Sequence, residues 1–250
     1  MYWHMDTDIV SLIVIVAIYM YYRQLPPHDG VVLRNRRFLR CLEAGVAVTG
    51  IDIAASIIME VSATRFLYHL LMTAYFVSIE LVIVEWFQYV ITILYERDEK
   101  GRRSVSHVVW TIYGVYALFN CLNPWTGFVY RLGPNNEYSR GPFFAAMLVL
   151  YTLYTLALFV LILVRWKKIP KGYPGGVLLA TPVIIAAGIA AQLTMPGWLL
   201  IMPAYMVCLV LAFLFLQTMW ARSSQTLMEN LSKAAETDPL TGLYNRPAWR

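Results

Sequence analysis

Asp52, Glu80 and His69 are ionisable side chains that stand inside long apolar runs. A charge near the centre of a bilayer costs at least ~2.5–3.5 kcal/mol on insertion scales, so such groups mark either a ligand or proton site or a hydrogen-bonded seam between helices. Thr49 and Ser56 lie three before and four after Asp52, which places all three on one helix face. Gly45, Gly50, Ala54 and Ala55 keep that helix thin enough for a close neighbour. Glu80 sits at the middle of its own run, at a depth similar to that of Asp52. If the two face each other they share one proton, because two like charges cannot both ionise in low dielectric. Glu85 lies five residues beyond Glu80, a turn of ~140°, so one helix does not build a carboxylate dyad from that pair. His69 is eleven residues before Glu80 and nearly aligned with it. The expectation is a polar pocket bounded by Asp52, Glu80 and His69, open to the outer side.

Other chemistries are poorly served. The five lysines (Lys100, Lys167, Lys168, Lys171 and Lys233) all fall outside the apolar runs. A retinal Schiff base needs an intramembrane lysine amine, so a rhodopsin-type photoreceptor is excluded. The four histidines are scattered, and neither Cys-x-x-Cys nor His-x-x-x-His spacing occurs, so no metal is expected. Cys41, Cys121 and Cys208 are odd in number and lie in apolar runs. They read as small buried hydrophobes and form no disulfide framework.

A second group of candidates lies in the polar stretch 123–142. Its middle, Gly133-Pro134-Asn135-Asn136, is a turn between two alternating segments, 127–132 and 137–140, which predicts a short β-hairpin. Trp125, Tyr130, Arg131, Tyr138 and Arg140 are its candidate ligand contacts, and the arginines would suit an anionic ligand. A packed cap without ligand contact is the alternative.

These groups need elements to hold them. Of the 250 residues 59% are hydrophobic and 14% charged, against ~45–50% and ~25% in soluble domains, so lipid is the natural solvent for most of the chain. A crossing helix needs ~20 apolar residues. Seven segments qualify: 6–22, 41–59, 66–95, 104–122, 143–165, 177–194 and 198–220. Only Met195-Pro196-Gly197 separates the last two, and one long kinked helix is the competing reading. The start is acidic and aromatic (Met1-Tyr2-Trp3-His4-Met5-Asp6), unlike a secretory signal, so a retained first span is expected.

Orientation follows from the basic residues. Seventeen of the 20 lysines and arginines fall in alternate loops and the tail; Arg65, Arg131 and Arg140 are the three others. The positive-inside rule then puts the N-terminus outside and the C-terminus in the cytosol. A nucleic-acid surface would not spread over every second loop, so no nucleic-acid partner is expected. The fold class predicted is an all-α membrane protein, a seven-transmembrane bundle with an outer hairpin and a cytosolic signalling helix.

Beyond Trp220 the polarity changes abruptly. Trp220, Ser224, Leu227, Leu231 and Ala234 follow 4-3-4-3 spacing, a coiled-coil seam that predicts a homodimer, with a monomeric linker helix as the alternative. Pro182 and Pro203 place bends in the sixth and seventh spans. The chain then reads Asp238-Pro239-Leu240-Thr241-Gly242-Leu243-Tyr244-Asn245-Arg246. This stretch closely resembles the opening of GGDEF domains, the catalytic domains of diguanylate cyclases. Asp238, Leu240, Thr241, Gly242, Leu243, Asn245 and Arg246 carry the match, and Pro247 stands where the family usually has a second arginine. The apolar part is similar to the seven-helix sensor regions that precede such domains in bacteria. Asn123-Pro124, Tyr138-Ser139-Arg140-Gly141-Pro142 and the two proline-bearing last spans carry that fainter match.

The resemblance implies three parts: a sensor domain over 1–220, a signalling helix over 221–236 and the start of a GGDEF domain over 237–250. Diguanylate cyclases join two GTP molecules, one on each subunit of a dimer, into cyclic di-GMP with the help of metal ions. GTP and Mg are implied only for a downstream domain. The family's catalytic residues lie beyond the opening motif, so none is assigned within 1–250 and the segment itself has no catalytic site. The expected role is a receptor in the bacterial inner membrane, with an outer or lipid-borne ligand, that sets the dimer geometry of its exit helix. A proton-coupled transporter using Asp52, Glu80 and His69, and a membrane anchor that does not sense, are the rival readings.

Overall fold

The computed structural model describes residues 5–24, 32–60, 64–133, 138–169, 173, 175–194 and 200–236. Among these the chain is mostly helical. Its helices are α1 (Met5–Gln24), α2 (Val32–Glu60), α3 (Arg65–Leu94), α4 (Glu99–Cys121), the short α5 (Asn123–Thr126), α6 (Phe144–Val164), α7 (Gly175–Thr194) and α8 (Ile201–Glu236). Strands β1 (Tyr130–Leu132) and β2 (Tyr138–Arg140) pair antiparallel, with Tyr130 opposite Arg140 and Leu132 opposite Tyr138. The expected hairpin is present; its turn at 134–137 lies outside the described residues. The sixth apolar run forms α7 and the seventh forms the start of α8; residues 195–199 between them lie outside the described residues.

Four helical segments among the described residues are long and apolar enough to cross a membrane: Arg34–Ile58, Arg65–Leu94, Phe144–Val164 and Ile201–Thr226. The expected count of seven is thus met only in part. The apolar run of α7, Gly175–Ala191, is shorter. α1 carries Asp6 and Asp8 in its first turn and Arg23 in its last, and α4 opens on Glu99-Lys100-Gly101-Arg102-Arg103. The outward face of α6 is apolar, with Val149, Leu153, Leu156, Val160 and Leu163 exposed. A stripe of that length on a protein surface fits contact with lipid.

Two compact units divide the chain, 1–210 and 211–250. In the first, α3 is the central helix. It is apolar on all sides, and a helix without a polar face has to be surrounded. It packs against α2, α4 and α6, while α1 packs on α2 and α7 on α6. Every residue from Val82 to Leu94 is buried. The start of α8 is tied to α2 by the Tyr205 hydroxyl, which donates to the Cys41 carbonyl at 2.9 Å. It is tied to α7 by the Cys208 thiol, 3.7 Å from the Thr181 carbonyl. The small-residue reading of α2 holds at Gly45, where a Cβ would lie 3.2 Å from Ile15 and 3.4 Å from Tyr205, and does not hold at Gly50, which faces open space.

Two sequence expectations change here. Arg34, Arg36, Arg37 and Arg40 are not in a loop; they stand on the first turns of α2. At ~1.5 Å per residue its 29 residues span ~43 Å, more than the ~30 Å hydrocarbon core of a bilayer. Cys121 is exposed, unlike the buried Cys41 and Cys208, because it ends α4 on the outward side of the bundle.

Candidate functional site

The hairpin is clamped to the helices by one side chain. Pro124 and the left-handed Gly127 (φ 62°) confine α5 to a single turn, and Asn123 at its start faces inward. The Asn123 Oδ1 accepts from the Val129 N–H at 2.6 Å, and its Nδ2 donates to the Tyr130 carbonyl at 3.0 Å. Gly141 closes the other side. Its N–H donates to the Val129 carbonyl at 2.8 Å, and a Cβ there would overlap the Phe128 carbonyl. Arg65 reaches from the start of α3 to the Leu132 carbonyl at 3.1 Å.

Clamped in this way, Tyr130 enters the end of the bundle. Its hydroxyl donates to the His69 carbonyl at 3.1 Å, and lies 3.0 Å from the Thr73 hydroxyl and 3.3 Å from His69 Nδ1. Its ring stacks on Phe76 and on Tyr138, with centroids 5.4 and 6.5 Å apart. Tyr68, Met72, Phe76, Val129, Tyr130 and Leu132 form one buried apolar cluster with Ala55 of α2. Burial pushes the Tyr138 phenol up to about 12, with Arg140 acting in the opposite direction. The candidates from the hairpin therefore divide. Tyr130 and Tyr138 point inward with His69, whereas Trp125 (82% exposed), Arg131 and Arg140 face outward. The Arg131 Nε donates to the Gly127 carbonyl at 3.1 Å, and the Arg140 guanidinium lies 4.6 Å over the Phe144 ring.

The two carboxylates do not meet. Asp52 is eight residues before the end of α2 at Glu60, ~12 Å by helix rise, while Glu80 is fifteen residues into α3, ~22 Å from the same end. Reading both as midpoints hid that difference. The acidic neighbour of Asp52 is Asp8 of α1, and the α3 residue at its level is Tyr75. Asp8 and Asp52 are both buried, and each keeps one oxygen without a hydrogen bond among the described residues. Thr49, on the same face, turns its hydroxyl to the Gly45 carbonyl at 2.8 Å. Glu80, 1% exposed, lies instead among Tyr113 and Tyr116 of α4 and Tyr151 and Tyr154 of α6. Three of these phenols are bonded to carbonyls (Phe76, Val77 and Val109), while the Tyr151 hydroxyl and the Glu80 Oε1 have no hydrogen-bond partner among the described residues. The expected single pocket is thus three places: the His69–Tyr130 cluster, the Asp8–Asp52 pair and the tyrosine-lined Glu80.

Sequence reasoning missed Asn123 as a clamp, Asp8 as the partner of Asp52, and the Thr73 and Phe76 supports of Tyr130. His69, Thr73 and Phe76 do follow 4-3 spacing, so one α3 face could have been read as the seat of the hairpin. Among the described residues no group of three His, Cys, Asp or Glu side chains is placed to hold a metal ion. Of the exit helix, α8 reaches Glu236 and carries Ser224 and Leu231 exposed. The motif residues Asp238, Leu240, Thr241, Gly242, Leu243, Asn245 and Arg246 lie outside the described residues. No family model matches the chain, and no curated protein or solved structure is significantly similar to it.

Proposed function

We propose that this chain is the membrane sensor module of a bacterial diguanylate cyclase. In this reading seven helices cross the inner membrane with the N-terminus outside, a ligand is sensed at the hairpin end, and α8 carries the change to a paired cyclase domain. The observation that carries the proposal is the nine-residue stretch 238–246, which resembles the GGDEF opening and begins two residues after α8 ends. Support comes from α8 itself, a helix whose apolar first part becomes polar after Trp220. Joining two GTP molecules requires two sites face to face, so a change in helix-pair geometry alters rate through proximity.

The test is the full reading frame expressed in a bacterial host that lacks its own cyclases. Cyclic di-GMP should accumulate, and a reporter fused after Arg250 should be active only as a cytosolic fusion. An unchanged cyclic di-GMP level, or a reporter that reads as external, sinks the proposal.

The Asp8–Asp52 pair favours one second reading, a proton-coupled transporter. Asp52→Asn would then abolish pH-driven uptake into vesicles while leaving cyclic di-GMP regulation unaffected.

A further inference from the structure

At the end of the bundle opposite the hairpin, α2, α3 and α4 line a partly open polar cavity of about 270 Å³. That is just below the ~300 Å³ at which pockets for whole small molecules begin, so it suits a headgroup-sized ligand. Its walls are basic. Arg37 comes from α2, and Arg102 and Arg103 come from the first turn of α4. Two carboxylates offset them: Glu85 lies 3.6 Å from Arg37, and Glu99 lies 2.6 Å from Arg103 and 3.8 Å from Arg102. One positive charge remains, with more guanidinium N–H groups than two carboxylates can accept from.

The buried donor is the stronger sign. Gln88 lines the cavity and is 1% exposed. Its Oε1 accepts from the Ser106 hydroxyl at 2.8 Å, and its Nε2 has no acceptor among the described residues. The Arg37 Nη1 faces the Glu85 carboxylate at 3.6 Å, beyond hydrogen-bond distance. A buried N–H without an acceptor is costly, and here it converges with three guanidiniums on one small space. Fixed guanidinium forks match phosphate oxygens in charge and in geometry. The level is also suitable. Gln88 lies six residues before the end of α3, ~9 Å, where a crossing helix leaves the hydrocarbon for the headgroup layer.

We propose that the cavity bounded by Arg37, Gln88 and Arg102 is a binding site for a phosphate ester. The proposal is independent of the cyclase reading, since it requires neither a downstream domain nor an orientation. The ester is either the phosphodiester of an anionic phospholipid or a soluble phosphate monoester.

The full chain is reconstituted in nanodiscs of phosphatidylcholine, with or without phosphatidylglycerol. Retained lipid is counted by native mass spectrometry, and glycerol 3-phosphate is titrated separately. Wild type should bind one of these probes, and Arg102→Gln and Gln88→Leu should each weaken it at least tenfold. Arg97→Gln, an exposed charge at the same end, should leave it within twofold. Phosphatidylglycerol retained without competition by glycerol 3-phosphate assigns the site to lipid. Glycerol 3-phosphate bound in phosphatidylcholine discs assigns it to a soluble ester. Arg37→Gln would leave the buried Glu85 without its ion-pair partner, so Arg102→Gln and Gln88→Leu decide, each checked for wild-type elution and helicity. Binding of neither probe by wild type, or equal binding by Arg102→Gln and Arg97→Gln, overturns the proposal.

Discussion

Asn123 holds Tyr130 by the backbone at two points: its Nδ2 donates to the Tyr130 carbonyl at 3.0 Å, and its Oδ1 accepts from the Tyr130 N–H at 3.4 Å. Both groups are buried, so the side chain stands in for water that cannot reach them. Asn123→Ala leaves the Val129 N–H and the Tyr130 carbonyl without this partner. The expected cost is about 2–6 kcal/mol, from ~1–3 for each of the two buried groups left unpaired. Hydrogen exchange should rise in β1 and β2 while α6 and α7 stay protected. Equal protection of the hairpin in variant and wild type would refute the clamp.

The Tyr130 hydroxyl and ring do different work. Tyr130→Phe removes the bonds to the His69 carbonyl and to Thr73 but keeps the stack on Phe76, and should cost about 1 kcal/mol. Tyr130→Ala removes the stack as well and should cost roughly 3–5 kcal/mol, the range for emptying an aromatic site. Thermal unfolding of both variants in the same detergent checks the order. A hairpin held mainly by its polar contacts would give the two variants similar midpoints.

A pH-sensitive joint lies at the other end of the bundle. Asp98 precedes α4 and accepts from the Gly101 N–H at 2.9 Å and from Arg165 at 3.1 Å. The Gly101 N–H first, and then Arg165, hold its carboxyl below its ordinary 3.8. A carboxylate with a lowered folded pKa stabilises the fold above its unfolded pKa and loses that contribution as pH falls through the folded value. The stability gap between wild type and Asp98→Asn should therefore be flat above about pH 5 and close below 3.8. Unfolding midpoints from pH 7 to pH 3 give the curve. A gap that widens on acidification would reverse the sign and reject the joint.

The hairpin was legible because its signals are local: Gly-Pro-Asn-Asn and two alternating segments need no knowledge of the remaining chain. Helix identity was legible for the same reason. Depth was not. Asp52 and Glu80 each sit mid-run in the sequence, but their level depends on where α2 and α3 end beside the 61–63 connection, and apolar runs do not mark those ends. The cavity at Arg37, Gln88 and Arg102 was invisible because three helices supply it and no linear spacing joins them. The arginines were read as loop residues because a polar stretch beside a span looks alike whether it is coil or a helix turn.

The seam on α8 makes the last prediction. Trp220, Ser224, Leu227, Leu231 and Ala234 return to one helix face every seven residues. Leu231 is 60% exposed in the single chain, and an apolar side chain so placed on a polar helix gains by meeting its copy. A cysteine at 227 or 231 should form an interchain disulfide in native membranes, and one at 229, turned ~160–200° from those two positions, should not. Cys121 is exposed and has to be replaced by Ser first, whereas Cys41 and Cys208 are buried and can remain. Dimer yields at 227 and 231 no higher than at 229 would show that the exit helix does not pair through this seam, and dimer-geometry control of a cyclase would go with it.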